Sequence, residues 1–152
     1  MRRRLVLALG VSALAPLTAF AQQRRALPRV GFLALESRET HRALDAIKSG
    51  LREHGYIEGQ NIELDVRFAG DRLDRLRQLA GELIAAKVDV IVTYGTTATK
   101  IAAAATKTVP IVIATASIDP VAAGLAASLA RPGGNVTGSI SSMGEVTGKR
   151  LA

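Results

Sequence analysis

The sequence contains no cysteine. That absence excludes a disulfide framework, a thiol nucleophile, a thiolate metal site and a lipid anchor on an N-terminal cysteine. Histidine is almost as scarce, with His41 and His54 as the two examples, and no H-E-x-x-H places a pair on one helical face. His54 falls near a helix C-terminus, where it meets the dipole favourably. There is no G-x-G-x-x-G after a strand, no Walker loop and no G-x-S-x-G. The Gly-rich run Arg131-Pro132-Gly133-Gly134-Asn135 leads into a strand rather than a helix, so it lacks the geometry of a phosphate cradle. No apolar run is long enough to span a bilayer comfortably. Solenoid-length repeats are also absent. These gaps leave little for catalysis and no reason to expect a cofactor or a metal.

What is present begins with an export signal. Met1-Arg2-Arg3-Arg4 is a cationic start, Leu5 to Leu17 is apolar, and Ala19-Phe20-Ala21 is a small-x-small cleavage site. This is the three-part layout of a secretory signal peptide over residues 1–21. Arg2-Arg3 also fits a twin-arginine signal loosely. Setting that stretch aside leaves 131 residues, and because it holds three arginines and no acid, the formal charge falls from +7 to +4. The remaining basic excess is interleaved with acids, as in Arg72-Leu73-Asp74-Arg75, and reads as a solvated helix face rather than a nucleic-acid surface. A chain of this length can bury a usable core without disulfides.

After a polar lead-in over residues 22–28, strand and helix patterns alternate. Arg29–Leu35 is an apolar strand. Leu44, Ile47 and Leu51 predict a helix over about 41–54, stopped by Gly55 at the position that favours a left-handed residue. Asn61–Phe68 alternates Ile62, Leu64, Val66 and Phe68 with polar residues, so it reads as an edge strand with one wet face. Leu73, Leu76, Ala80, Leu83 and Ile84 predict a helix over about 72–87, with Asp71 as its cap. Val88–Thr99, VDVIVTYGTTAT, is a buried β-branched strand turning at Gly95 into an Ala-rich helix, with Thr96 or Thr97 available as its cap. Ile111–Thr115 is the fourth strand, a helix is expected over about Val121–Leu129, and Val136–Ile140 is the fifth strand. A last helix begins near Glu145. The alternation predicts a doubly wound parallel α/β sheet of flavodoxin-like order.

Such sheets bind ligands at the carboxyl ends of their strands. The loops there carry Glu36, Ser37 and Thr40; Tyr94, Thr96 and Thr97; Thr115, Ser117 and Asp119; and Ser139, Ser141 and Ser142. The set is rich in hydroxyls and poor in acid–base pairs, which suits holding a small polar molecule better than transforming one. For each hydroxyl singly, a cap or turn role competes with ligand contact. Asp119 before Pro120 reads as a turn residue as well as a base or metal ligand, and Tyr94 as packing as well as a stacking surface.

Three stretches carry a resemblance: REHGYIEGQNIELDVRFA, DRLRQLAGELIAAKVD, and the run from Val88 to Gly138 with DPV at Asp119–Val121 and LARPGGNVTG at Leu129–Gly138. Over roughly Arg29 to Ala152 the chain resembles the N-terminal lobe of ABC transporter substrate-binding proteins of the tryptophan/aromatic amino acid-type group, which have the type I periplasmic binding protein fold. After the signal peptide at 1–21 and the lead-in at 22–28, the resemblance implies a single lobe over 29–152, truncated relative to family members of about twice this length. It implies a periplasmic, non-enzymatic solute receptor, a monomer in its intact form, that delivers a small ligand such as an amino acid to an inner-membrane permease. By matching motif, the implied ligand contacts are Ser37, Tyr94, Gly95, Thr96, Thr97, Ser117, Asp119 and Ser141. An amino acid's carboxylate suits the helix start at Thr96-Thr97. The alternatives are an exported flavodoxin-like hydrolase and a ligand-sensing domain of a regulator. The first needs a base–nucleophile pair, and the second a cytoplasmic location.

Overall fold

The β-branched runs become strands because they are covered on both faces, and the periodic segments between them become helices because one stripe of each is apolar. The structure, a computed structural model, describes residues 27–37, 42–128 and 133–140. The signal peptide expected over residues 1–21, Thr40, His41, Ser141, Ser142 and the helix expected from Glu145 lie outside the described residues. In chain order the elements are β1 (Arg29–Ala34), α1 (Ala43–Glu53), β2 (Glu63–Phe68), α2 (Leu73–Ala85), β3 (Val90–Tyr94), α3 (Thr96–Ala105), β4 (Ile111–Thr115) and β5 (Val136–Gly138). All strand pairs are parallel and the sheet order is β2-β1-β3-β4-β5. This is the expected doubly wound fold, with β2 at one edge.

The connection from β1 runs to one side of the sheet, and those from β2 and β3 run to the other. Right-handed crossovers therefore place α1 on one face and α2 and α3 on the opposite one. The core follows that division. Leu33, Ile91, Ile111 and Ile113 pack with Leu76, Leu79, Ala80 and Leu83 of α2 and Ala98, Ala102 and Ala103 of α3. Phe32 and Ala34 point the other way, to Leu44 of α1, with Ile47, Val66, Phe68, Val92 and Tyr94 around them. The Phe32 and Phe68 rings meet at 5.7 Å in a tilted arrangement. Gly31 lets α2 approach β1: a Cβ there would lie 3.0 Å from Leu83 Cδ2.

Helix α1 ends as its sequence implies. Gly55 has φ +82, its N–H bonds the Arg52 carbonyl at 2.9 Å, and Tyr56 N–H bonds the Leu51 carbonyl at 2.8 Å. This pair of bonds is the Schellman closure. His54 Nδ1 lies 2.9 Å from the Gly50 carbonyl.

Four expectations are corrected. Asp71 does not cap α2; it adopts φ +60 and donates its N–H to the Leu35 carbonyl at 2.8 Å. Arg72 takes the N-cap position with no side-chain cap bond. Leu73 is 47% exposed, because it opens the helix before the first turn reaches the sheet, and Leu79 fills the stripe instead. Thr96 and Thr97 lie inside α3, and Gly95 is its N-cap. Finally, residues 120–124 form turns instead of the opening of a helix over Val121–Leu129. Gly124 at φ +67 breaks the right-handed path, and the Leu125 N–H turns back to the Pro120 carbonyl at 2.8 Å.

Candidate functional site

The sheet order reverses direction between β1 and β3, and at such a switch point the loops leave to opposite faces and open a crevice. Ala34 and Tyr94, the last residues of the two strands, are register partners. Glu36 and Gly95 lie just beyond them and face each other: a Cβ built on Gly95 would stand 3.7 Å from Glu36 Oε1.

The corner after β3 is rigid for local reasons. Gly95 sits at φ 87, ψ 155, a region open in practice only to glycine. Its N–H donates to the Thr115 carbonyl at 2.8 Å, fastening the corner to β4. Its carbonyl receives the Thr99 hydroxyl at 2.9 Å and the Thr99 N–H at 3.2 Å. The Thr99 hydroxyl in turn lies 2.9 Å from that of Thr93. Because Thr99 spends its one proton on Gly95, Thr93 is the donor in that bond. Both threonines are fully buried. Neither stood out in the sequence as a site-supporting residue; the signal available was a polar Thr in each of two apolar elements, six residues apart.

No side chain caps α3. The N–H groups of Thr96, Thr97 and Ala98 precede the first intrahelical bond and have no partner among the described residues. The helix therefore starts with free donors and the positive end of its dipole at the switch point. Thr96 and Thr97 are half-buried there. Tyr94 is half-buried too, and its ring belongs to the packing around Phe32 and Ala34.

The loop after β4 brings Ser117 and Asp119, both exposed, to the same edge. Asp119 Oδ1 accepts from the N–H groups of Val121 at 2.9 Å and Ala122 at 3.1 Å, so one oxygen is committed to the turn. Ser37 is half-buried after β1. Thus Ser37, Tyr94, Gly95, Thr96, Thr97, Ser117 and Asp119 come from loops at one edge, while Ser141 lies outside the described residues. Glu36, which was grouped with this edge without being singled out, has Oε2 shielded from solvent and without a hydrogen-bond partner.

Cavities elsewhere on the described surface are lined by other residues, and two of them adjoin the sheet's flanks. One of about 190 Å³ lies between α1 and the start of β2 and is lined by Leu51, Tyr56, Ile57 and Leu64 among others. One of about 100 Å³ lies by β4 and β5, lined by Ile113, Pro120, Val136 and Gly138 among others. Among the described residues no three His, Asp or Glu side chains cluster as metal ligands, and no helix is long and apolar enough to cross a membrane.

Residues 32–149 match a family described as ABC transporter substrate binding protein. A tyrosine-binding protein of Clostridioides difficile (strain R20291) is 39% identical over 102 residues, 64% of this chain and 29% of the relative. The ligand-free, open structure of a substrate binding protein with adhesive properties from Clostridium difficile superposes with a TM-score of 0.70 at 33% identity, covering 82% of this chain and 42% of that one. A domain from Streptococcus pneumonia solved in complex with L-Trp superposes at 0.66 with 32% identity, covering 76% and 39%. The chain thus spans less than half the length of each of these relatives.

Proposed function

The chain belongs to the ABC transporter substrate binding protein family, and from that premise we propose that it forms one wall of a solute-binding cleft. The ligand lies on the carboxyl edge of the sheet at the β1–β3 switch point. The observation that carries this reading is the uncapped start of α3, where the N–H groups of Thr96, Thr97 and Ala98 are unspent. An anionic group on a ligand supplies the acceptors they lack. The hydroxyls of Thr96, Thr97, Ser37 and Ser117 add orientation, and Tyr94, Gly95, Asp119 and Ser141 complete the contact set. A small polar molecule such as an amino acid fits, in keeping with relatives that bind tyrosine or L-Trp.

In this reading the protein captures rather than converts its ligand. The edge holds carboxylates and hydroxyls without an imidazole or amine beside them among the described residues. Residues 1–21 direct export to the periplasm and are removed. A second lobe closes the cleft over α3, since hinge closure needs two bodies, and an inner-membrane permease receives the ligand.

Titration of the isotopically labelled chain with a panel of amino acids, followed by NMR, tests the reading. The amide resonances of Gly95, Thr96 and Thr97 are expected to move first, and those around Tyr56 and Ile57 to stay in place. A panel in which no solute moves the Gly95–Thr97 resonances overturns it.

A further inference from the structure

The solute reading leaves one thing unexplained: a carboxylate of the protein stands beside the corner that is meant to receive the ligand's. Glu36 Oε1 is 3.7 Å from the position of a Gly95 Cβ, at the mouth of α3. If Glu36 were the helix's own anionic cap, it would accept from the free N–H groups. Instead α3 has no side-chain cap bond, and Glu36 Oε2 is shielded from water with no hydrogen bond at all. Arg67 Nε is the other shielded atom without a well-aligned bond, yet it lies 2.8 Å from Asp65 Oδ1, so its charge is met. Among the described residues no donor reaches Glu36 Oε2. A shielded carboxylate oxygen with no donor costs free energy that native folds do not carry without a reason.

We infer that Glu36 is the receptor for a cationic group on the ligand, and the residue through which the site tells an α-amino acid from its des-amino counterpart. This rests on the solute-binding reading above. An α-amino acid carries its ammonium and its carboxylate on one carbon. The site offers a matching pair on either side of Gly95, acceptors on Glu36 and donors at the start of α3. The ammonium supplies the proton donors that Glu36 lacks, in a charge-assisted bond. A carboxylic acid without the ammonium puts two carboxylates side by side, which is repulsive. Glu36 thereby acts as a specificity-determining residue.

The test uses the full chain and the same NMR titration, with L-tryptophan and its des-amino counterpart 3-(indol-3-yl)propanoate as probes. The expected preference for L-tryptophan is about tenfold or more, the scale of one hydrogen bond to a charged group. In Glu36→Gln the ratio falls toward one, mostly by loss of tryptophan affinity, while the des-amino acid binds equally well or better. A ratio unchanged by Glu36→Gln overturns the inference and leaves the solute reading intact. If neither probe nor any other solute moves Gly95–Thr97, both fall together. Thermal unfolding gives a ligand-free check. Glu36→Gln is expected to hold or raise Tm, because it removes an unpaired charge. A drop of several degrees would mark Glu36 as a structural anchor and overturn its assignment to the ligand.

Discussion

Gly95 and Gly138 are both at positive φ, and they should tolerate a methyl group very differently. At Gly95 the added Cβ meets nothing nearer than Glu36 Oε1 at 3.7 Å, so Gly95→Ala pays backbone strain alone, about 1–3 kcal/mol. At Gly138, φ 129, the Cβ would stand 2.3 Å from the Ile113 carbonyl oxygen. Strain and overpacking then add, and Gly138→Ala is expected to lose about 2–5 kcal/mol in urea unfolding. The buried threonines give a second residue-level prediction, because the proton direction is fixed. Thr93→Val removes only a donor and leaves the Thr99 bond to Gly95 in place. Thr99→Val strands the Thr93 hydroxyl and takes one donor from Gly95. The latter should cost about 1–3 kcal/mol, the former clearly less, and the double variant less than the sum of the two. Equal single effects would mean the proton runs the other way.

At the scale of elements, legibility followed periodicity. Strands β3 and β4 and the helices α1 to α3 stand out because burial on one or both faces leaves a repeating apolar record. Edge strand β2 was legible from its strict alternation. Failures came where a single residue overrides the pattern. Asp71 looks like a cap, yet the chain spends its N–H on Leu35 and takes a left-handed turn instead. The Ala-rich segment after Pro120 has helical propensity, but Asp119 caps a turn that Gly124 ends. The switch-point edge was readable from strand order alone. What could not be read was which polar groups there are already satisfied, since that depends on partners far apart in sequence, such as Gly95 and Thr115. Helix α2 carries an electrostatic prediction. The Arg72 side-chain hydrogen bond, then the Arg75 backbone, hold the Asp74 carboxyl below the ordinary aspartate range. With its folded value depressed, the contribution is present above the unfolded value and is lost as pH falls through the folded one. NMR titration of Arg72→Gln should move the Asp74 midpoint upward.

At the scale of the molecule, the two faces of the sheet are unequal. The α2–α3 side holds most of the fully buried residues, while α1 contributes Leu44 alone to the buried set. Leu83 is the keystone of the heavier side: it has no exposed surface and lies against Gly31. Leu83→Ala should cost about 3–5 kcal/mol, and Leu44→Ala less, near 2 kcal/mol, by chemical denaturation. Equal losses would mean that α1 is as firmly docked as α2. A sheet with one lightly covered face and one dense one keeps the free donors of α3 on its densely packed side, because α3 belongs to the dense layer.

Strand β1 also sets a clock. It pairs with β2 on one side and β3 on the other, so Val30 has both Leu64 and Val90 as register partners. During synthesis its first neighbour arrives only with the residues around Leu64 and its second only near Val90. The later strands can add only after that. No local hairpin stands in among the described residues, because each pairing of their strands is parallel and spans a crossover. The centre of the sheet therefore stays open until more than half of the span from β1 to β5 has emerged, so the apolar residues of β1 are among the last of the described strands to gain both neighbours relative to their own synthesis.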